Sequence, residues 1–224
     1  DPPGPSRFTS PAVTLPLNPS RVARKAQKAA GIVYYAMLRV SAGIFGFKAR
    51  HRAKDRRVLD ERILPRLAEN PRFARVLFVG CDWYTEHVEG LFSAAGREYA
   101  TIEIDPNRAV HGARRHVVGA LADLARHFPD GSLDLIVCNG VIGWGLNDPV
   151  EIERSMAACV AALSPGGMLL LGWDDVPEKL PAPIDEIQAL RALRSLAPDG
   201  FEHAVIETGT YTRHTFGFWQ KPST

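Results

Sequence analysis

Apolar positions follow two rhythms along this chain. From Arg75 onward, short runs of consecutive apolar residues alternate with stretches of helical spacing. Arg75–Gly80 is apolar after its first residue and stopped by glycine, as expected for a strand buried on both faces of a parallel sheet. The spacing then predicts a helix over Thr85–Ala95, with Thr85 as N-cap and Glu86 in its first turn. Tyr99–Ile104 reads as a second strand, closed by Asp105-Pro106, with Pro106 suited to the first turn of the next helix. His116–Gly119 is a short third strand, Leu121–Phe128 a short helix, and Leu133–Cys138 the fourth strand. A helix over Glu151–Leu163 ends at Ser164-Pro-Gly-Gly167. Met168–Leu171 is the fifth strand, and a last helix is expected over Ile184–Leu196. Phe201–Glu207 and His214–Trp219 break the alternation: joined by Thr208–Arg213, they predict a hairpin and an antiparallel end to the sheet. Strands alternating with helices imply right-handed crossovers and helices on both sheet faces, an α/β class.

Before Arg75 the rhythm is helical. Val33, Met37, Val40, Ile44 and Phe47 recur at four-three-four-three spacing, predicting an amphipathic helix over Ala29–Phe47 with Arg39 as its one charged residue. Three roles stay open for it. It could cap a substrate pocket, lie on an anionic membrane surface through its basic flanks, or span a bilayer, for which its length is marginal against the ~20 apolar residues required. Arg56–Leu67 reads as a helix leading into the first strand. Asp1–Ser20 is rich in Pro and Ser without periodicity, so 1–20 is expected to be a flexible tail, 21–70 an N-terminal helical cap segment, and 71–224 the main domain.

Composition narrows this picture a little. With 224 residues, 46% of them hydrophobic, the chain can bury one sizeable core without disulfides. Its three cysteines are scattered, and Cys81 and Cys138 lie in apolar runs, so reduced buried thiols in a cytoplasmic protein are expected. No Cys/His cluster has zinc spacing, and no metal is expected. A net charge of +2 does not require a nucleic-acid partner, although basic residues crowd Arg21–Lys28 and Lys48–Arg57. No signal-peptide pattern is present.

In an open parallel sheet, ligands bind at the carboxyl ends of the strands. Here those ends carry Val79–Glu86, Ile102–Pro106, Gly119–Asp123 and Cys138–Trp144. Val76-Leu-Phe-Val-Gly-Cys81, Ile102-Glu-Ile-Asp-Pro106, Phe128–Asn139 and Leu163-Ser-Pro-Gly-Gly-Met-Leu-Leu-Leu171 together resemble, in order and spacing, the class I S-adenosylmethionine-dependent methyltransferases, particularly their small-molecule branch. The likeness covers about Arg75–Lys221. It implies a Rossmann-like, seven-stranded, mostly parallel sheet of order 3-2-1-4-5-7-6 with the last strand antiparallel. It also implies S-adenosylmethionine as cofactor and methyl transfer to a small molecule such as a secondary-metabolite, sugar or lipid intermediate.

Carried over residue by residue, the resemblance places the cofactor on Gly80, Cys81, Asp82, Tyr84, Thr85, Glu103, Ile104, Ala120, Leu121, Asn139 and Gly140. Gly80 permits a tight turn and close backbone approach. Glu103, an acid between two isoleucines in a buried strand, needs a partner and suits the ribose hydroxyls, with Asp105 as the lesser candidate. The family's acid after the third strand is absent, since the chain has Gly119-Ala120; Asp123 is the substitute considered. The second and third glycines of the family's Gly-x-Gly-x-Gly loop are here Asp82 and Tyr84. Trp83, Tyr84 and Trp144 offer aromatic faces to a sulfonium cation, and Trp83, Trp144 and Trp173 are expected at the substrate. Methyl transfer needs a base only when the nucleophile must lose a proton, for which His87, Asp82, Asp174 and His214 are candidates. Asn139-Gly-Val-Ile142 lacks the Asn-Pro-Pro-aromatic run of enzymes that methylate amino groups of nucleic acids. Two other readings share this layout: a non-catalytic binding protein, and a nicotinamide-dependent oxidoreductase, whose Gly-x-Gly-x-x-Gly the segment Gly80–Thr85 fails.

Overall fold

The computed structural model describes residues 53–223; the expected tail and the helix over 29–47 lie outside them. Eight strands form one sheet: β1 (Arg75–Val79), β2 (Glu98–Glu103), β3 (Arg115–Val118), β4 (Leu133–Asn139), β5 (Leu163–Asp174), β6 (Arg194–Ser195), β7 (Val205–Glu207) and β8 (His214–Gln220). Their order is β3-β2-β1-β4-β5-β8-β6, with β7 sharing the outer edge of β8. β1 to β5 run parallel and β8 runs antiparallel to β5. The expected α/β sheet with a reversed last strand is therefore present, with the two-residue β6 added.

Both faces of the central strands β1, β2, β4, β5 and β8 are largely buried because these strands are apolar at successive positions. Leu77, Val79, Ile102, Ile136, Cys138, Leu169 and Leu171 face one core. Val76, Phe78, Leu135, Val137, Leu170, Phe216 and Phe218 face the other. The first core is closed by α4 (Pro149–Ala162) through Ile152, Met156 and Cys159. Asp148 caps α4 by accepting from the amides of Val150 and Glu151. The second is closed by α3 (His87–Ala94) and by a continuous helical stretch of α1 (Lys54–Arg57), a π-helical turn (Val58–Ile63) and α2 (Leu64–Glu69). Leu59, Ile63 and Leu64 on that stretch are fully buried, each contributing about 1.5–3 kcal/mol. The part of the segment expected as a cap that is described here thus packs into the core of the main unit.

Several expected helices take other forms. The one over Ile184–Leu196 is replaced by two 3-10 turns, Ile184–Glu186 and Gln188–Ala192, followed by β6. Ile184, Ile187, Leu190 and Leu193 are the buried residues there. Their spacing of three matches a 3-10 repeat rather than 3.6, and the Glu153 carboxylate takes up the amides of Gln188 and Ala189. The segments after Pro106 and after Leu121 are also 3-10, spanning Pro106–His111 and Leu121–Arg126. Thr85 does not cap a helix; α3 starts two residues later, and the Thr85 hydroxyl is spent on the backbone of Asp82. Ser164–Gly167 does not separate a helix from a strand, because β5 already begins at Leu163 and crosses an irregular register step against β4.

Candidate active-site cleft

The carboxyl ends of β1, β2, β4 and β5 open onto a cleft of about 790 Å³, within the usual range for small-molecule and cofactor sites. On the side of β1 and β2 it is floored by backbone. Gly80 takes φ +80°, and a Cβ there would project into the gap between Glu103 Oε2 and Val141, 3.9 Å from each. Its amide donates to the Ile102 carbonyl at 2.8 Å. Glu103, 9% exposed, ends β2; Oε2 accepts from the Cys81 amide at 3.1 Å and Oε1 from the Asp105 amide at 2.9 Å. Each carboxylate oxygen keeps a further lone pair. Asp105 instead starts the next turn, accepting from the Asn107 amide.

The loop after Gly80 is braced by its own side chains. Thr85 Oγ1 accepts from the Asp82 amide and donates to its carbonyl, at 3.0 and 2.8 Å. Asp82 Oδ1 accepts from the Trp83 amide, and Oδ2 faces Arg108 at 3.4 Å. Side-chain bonds thus hold the turn in which Asp82 and Tyr84 stand where the resemblance led glycines to be expected. Cys81 lines the cleft, but burial first, then the nearby Glu103 and Asp82 charges, push its thiol up to about 11, so it stays protonated. Burial likewise raises Tyr84.

On the side of β4 and β5 the cleft is built from side chains. Antiparallel pairing sets His214, the first residue of β8, against Asp174, the last of β5. His214 Nδ1 lies 2.7 Å from Asp174 Oδ1, and Nε2 lies 2.9 Å from Asn139 Oδ1. Asp174 accepts further bonds from Thr212 Oγ1 at 2.8 Å and Trp144 Nε1 at 3.0 Å. Burial works to raise the Asp174 carboxyl, but the bonds from His214 and Thr212 outweigh it and hold the group below its ordinary value. Both His214 and Asp174 are about 95% buried. Gly172 is required beside them, because a Cβ there would strike Asn139 Oδ1.

Gly80, Cys81, Asp82, Tyr84, Thr85, Glu103, Ile104, Ala120, Leu121, Asn139 and Gly140 all line this one cleft, as do Trp144, Asp174 and His214. Four expected residues do not. His87 turns to Asp60 at 3.4 Å. Trp173 is buried against Trp219 with ring centres 6.0 Å apart. Trp83 packs edge-on against Tyr84, 5.4 Å between ring centres, outside the lining. Asp123 also lies outside, facing Arg126 at 3.6 Å. The face of Trp144 carries the Lys179 ammonium at 3.6 Å, so that ring already holds a cation. Sequence reasoning missed Arg56, Arg108, Ser155 and Thr212 in the lining; only the basic run containing Arg56 gave a signal.

Residues 78–171 match the family model described as a methyltransferase domain. Solved structures share the fold. A TehB-like SAM-dependent methyltransferase from Corynebacterium glutamicum is 20% identical, with a TM-score of 0.55 over 86% of this chain and 99% of that one. The N-methyltransferase NodS from Bradyrhizobium japonicum, in complex with S-adenosyl-l-homocysteine, is 16% identical, with a TM-score of 0.53 over 76% and 94%. A Burkholderia thailandensis 1,6-didemethyltoxoflavin-N1-methyltransferase is 13% identical, with a TM-score of 0.51 over 94% and 93%. No curated protein matches the sequence. Residues 78–171 thus match a methyltransferase domain, and the sheet around them has the fold of these S-adenosylmethionine-dependent methyltransferases.

Proposed function

We propose that this enzyme transfers a methyl group to a neutral or amine-bearing small molecule held beside Trp144, Asp174 and His214. The observation that carries the reading is the charge of the cleft. Its described lining holds seven carboxylates (Asp55, Asp82, Glu103, Asp105, Asp148, Glu151 and Asp174) against two guanidiniums, Arg56 and Arg108. A polyanionic acceptor needs the reverse balance, since phosphate neutralisation dominates nucleic-acid affinity. An excess of carboxylates also suits a cationic methyl donor.

The residues present fit that donor. Glu103 offers lone pairs at the end of β2 where a pair of ribose hydroxyls can donate, and Gly80 leaves the floor beside it open. Ala120 and Leu121 would meet the adenine edge. When bound, S-adenosylmethionine supplies an electrophilic methyl carbon on a sulfonium. The chain's own contribution is alignment and exclusion of water, worth up to ~7–11 kcal/mol for well-oriented reactants. Asp174 orients the His214 ring through Nδ1, and a neutral His214 can take the nucleophile's proton on Nε2 once the acceptor replaces the Asn139 Oδ1 that stands 2.9 Å away. No helix among the described residues is long and apolar enough to cross a membrane.

Titration calorimetry with S-adenosylhomocysteine and with NAD tests the donor half. Micromolar binding of the first alone is expected; binding of NAD alone, or of neither, overturns the reading. Screening neutral and amine compounds for release of S-adenosylhomocysteine tests the acceptor half. Turnover confined to RNA or DNA would refute it.

A further inference from the structure

On the β4 and β5 side of the cleft, the lining carboxylates already hold donors. Asp174 accepts from Thr212 Oγ1 and Trp144 Nε1 and pairs with His214 Nδ1, three bonds against about four lone-pair sites. Asp148 takes up the amides of Val150 and Glu151, and Glu151 accepts from Arg154 at 2.6 Å. An ammonium entering here would have to displace one of these donors.

The Trp144 ring is set for a different kind of partner. Its Nε1 is tied to Asp174, and the Lys179 ammonium stands 3.6 Å over its centre. Gly143, at φ +80°, lets the two loops touch, since a Cβ there would strike the Lys179 carbonyl. Trp144 is still 59% exposed and lines the cleft, whereas Lys179 is not part of the lining. The cation thus backs the face turned away from the cleft and leaves the other open. An indole backed by a cation repels a second cation and accepts a flat neutral ring.

The buried base beside it narrows the reacting group. A neutral amine attacks through its lone pair and needs no base first, whereas a hydroxyl becomes a good nucleophile only as its proton leaves. A phenolic hydroxyl is only a few units less acidic than an imidazolium, while a saturated alcohol is about as weak an acid as water. A histidine held by Asp174 is therefore matched to a phenol.

We infer that the acceptor is a flat aromatic ring bearing a hydroxyl group, stacked on the cleft face of Trp144 with that hydroxyl at His214 Nε2. The inference rests on the reading of this cleft as a methyl-transfer site and narrows its acceptor. In the step, the hydroxyl oxygen bonds to the methyl carbon as the carbon–sulfur bond breaks and its electron pair returns to sulfur. The hydroxyl proton passes to Nε2, Asp174 stabilises the imidazolium, and that proton is then lost to water. The product is an aryl methyl ether.

Matched probes separate the chemistries: catechol, ortho-phenylenediamine and vicinal cyclohexanediol, each offered with S-adenosylmethionine and followed by release of S-adenosylhomocysteine. Catechol, or the larger naphthalenediol, is expected to exceed the diamine and the saturated diol at least about tenfold in kcat/KM. Trp144→Leu should raise KM for the aromatic diol about tenfold and leave S-adenosylhomocysteine affinity within about twofold. Trp144→Phe, which keeps a ring and loses the N–H, should recover most of that loss. His214→Ala should slow catechol by about 10²–10⁴-fold, and nitrocatechol, whose hydroxyl is already largely ionised at neutral pH, at least about tenfold less. A merely structural role would slow both alike. Turnover confined to the diamine or the saturated diol, turnover of none of the panel, or equal losses for the two catechols in a folded His214→Ala overturns the inference, while binding of S-adenosylhomocysteine keeps the methyl-transfer reading. Failure of the unmodified protein to bind S-adenosylhomocysteine removes both.

Discussion

The two halves of the cleft are made of different material. The half beneath β1 and β2 is backbone: a glycine in the left-handed region, amides turned onto Glu103, and a loop braced by Asp82 and Thr85. The half beneath β4, β5 and β8 is side chain: Asn139, His214, Asp174, Thr212 and Trp144 joined in one hydrogen-bonded chain around the buried His214–Asp174 pair. Backbone recognises a ligand that does not change, whereas a side-chain network can be re-cut for each acceptor. A methyltransferase with one donor and a variable acceptor has reason to use both.

The comparison breaks most directly at His214. His214→Ala is expected to lower kcat by about 10²–10⁴-fold and leave S-adenosylhomocysteine affinity within about twofold. Steady-state kinetics beside calorimetry reads both, and an unchanged kcat would remove the proton-accepting role. Next comes Glu103→Ala, for which calorimetry should show donor affinity reduced by about 1–3 kcal/mol. Undiminished affinity in the folded variant would mean the ribose is held elsewhere.

A control lies at the opposite edge of the sheet. Asp134 accepts from the Arg75 amide, Nε and Nη2 and from Ser164 Oγ, tying the starts of β1 and β5 to β4. Asp134→Asn should cost about 1–2 kcal/mol in chemical denaturation without altering donor affinity; a change in affinity would show that the two edges are coupled. The smallest effect is in pH. At Asp174 the bonds from His214 and Thr212 overcome desolvation, and at Asp134 those from Arg75 and Ser164 do, so both carboxyls stay below their ordinary range. Such groups stabilise the fold fully above the unfolded-state value near pH ~4 and lose that contribution as pH falls through the folded value. Thermal unfolding of Asp174→Asn should therefore depend less on pH in the acid range than the parent; an identical profile would deny Asp174 its share.

The backbone half was legible in the sequence because it is local. Gly80 ends an apolar run and Glu103 stands between Ile102 and Ile104, so strand periodicity alone sends both to the same edge. The other half depends on pairings across the chain. Asp174 and His214 stood as separate candidates, and only the reversed β8 brings them within 2.7 Å. Thr212 and Arg56 gave no pattern of their own, since one lies in a turn and the other in a basic run that reads equally as surface. His87 and Trp173 misled for a related reason: a strand or helix period gives a residue's face, but the neighbour that claims it, Asp60 or Trp219, comes from elsewhere. The segment over Ile184–Leu196 misled through its spacing of three, which a window tuned to 3.6 accepts as a helix.

The reversed last strand also fixes when the enzyme can work. Asn139 and His214 are 75 residues apart and Asp174 and His214 are 40 apart, so this wall of the cleft closes only once β8 has paired with β5. A chain lacking β8 would lose His214 from the cleft and Phe216 and Phe218 from the second core together.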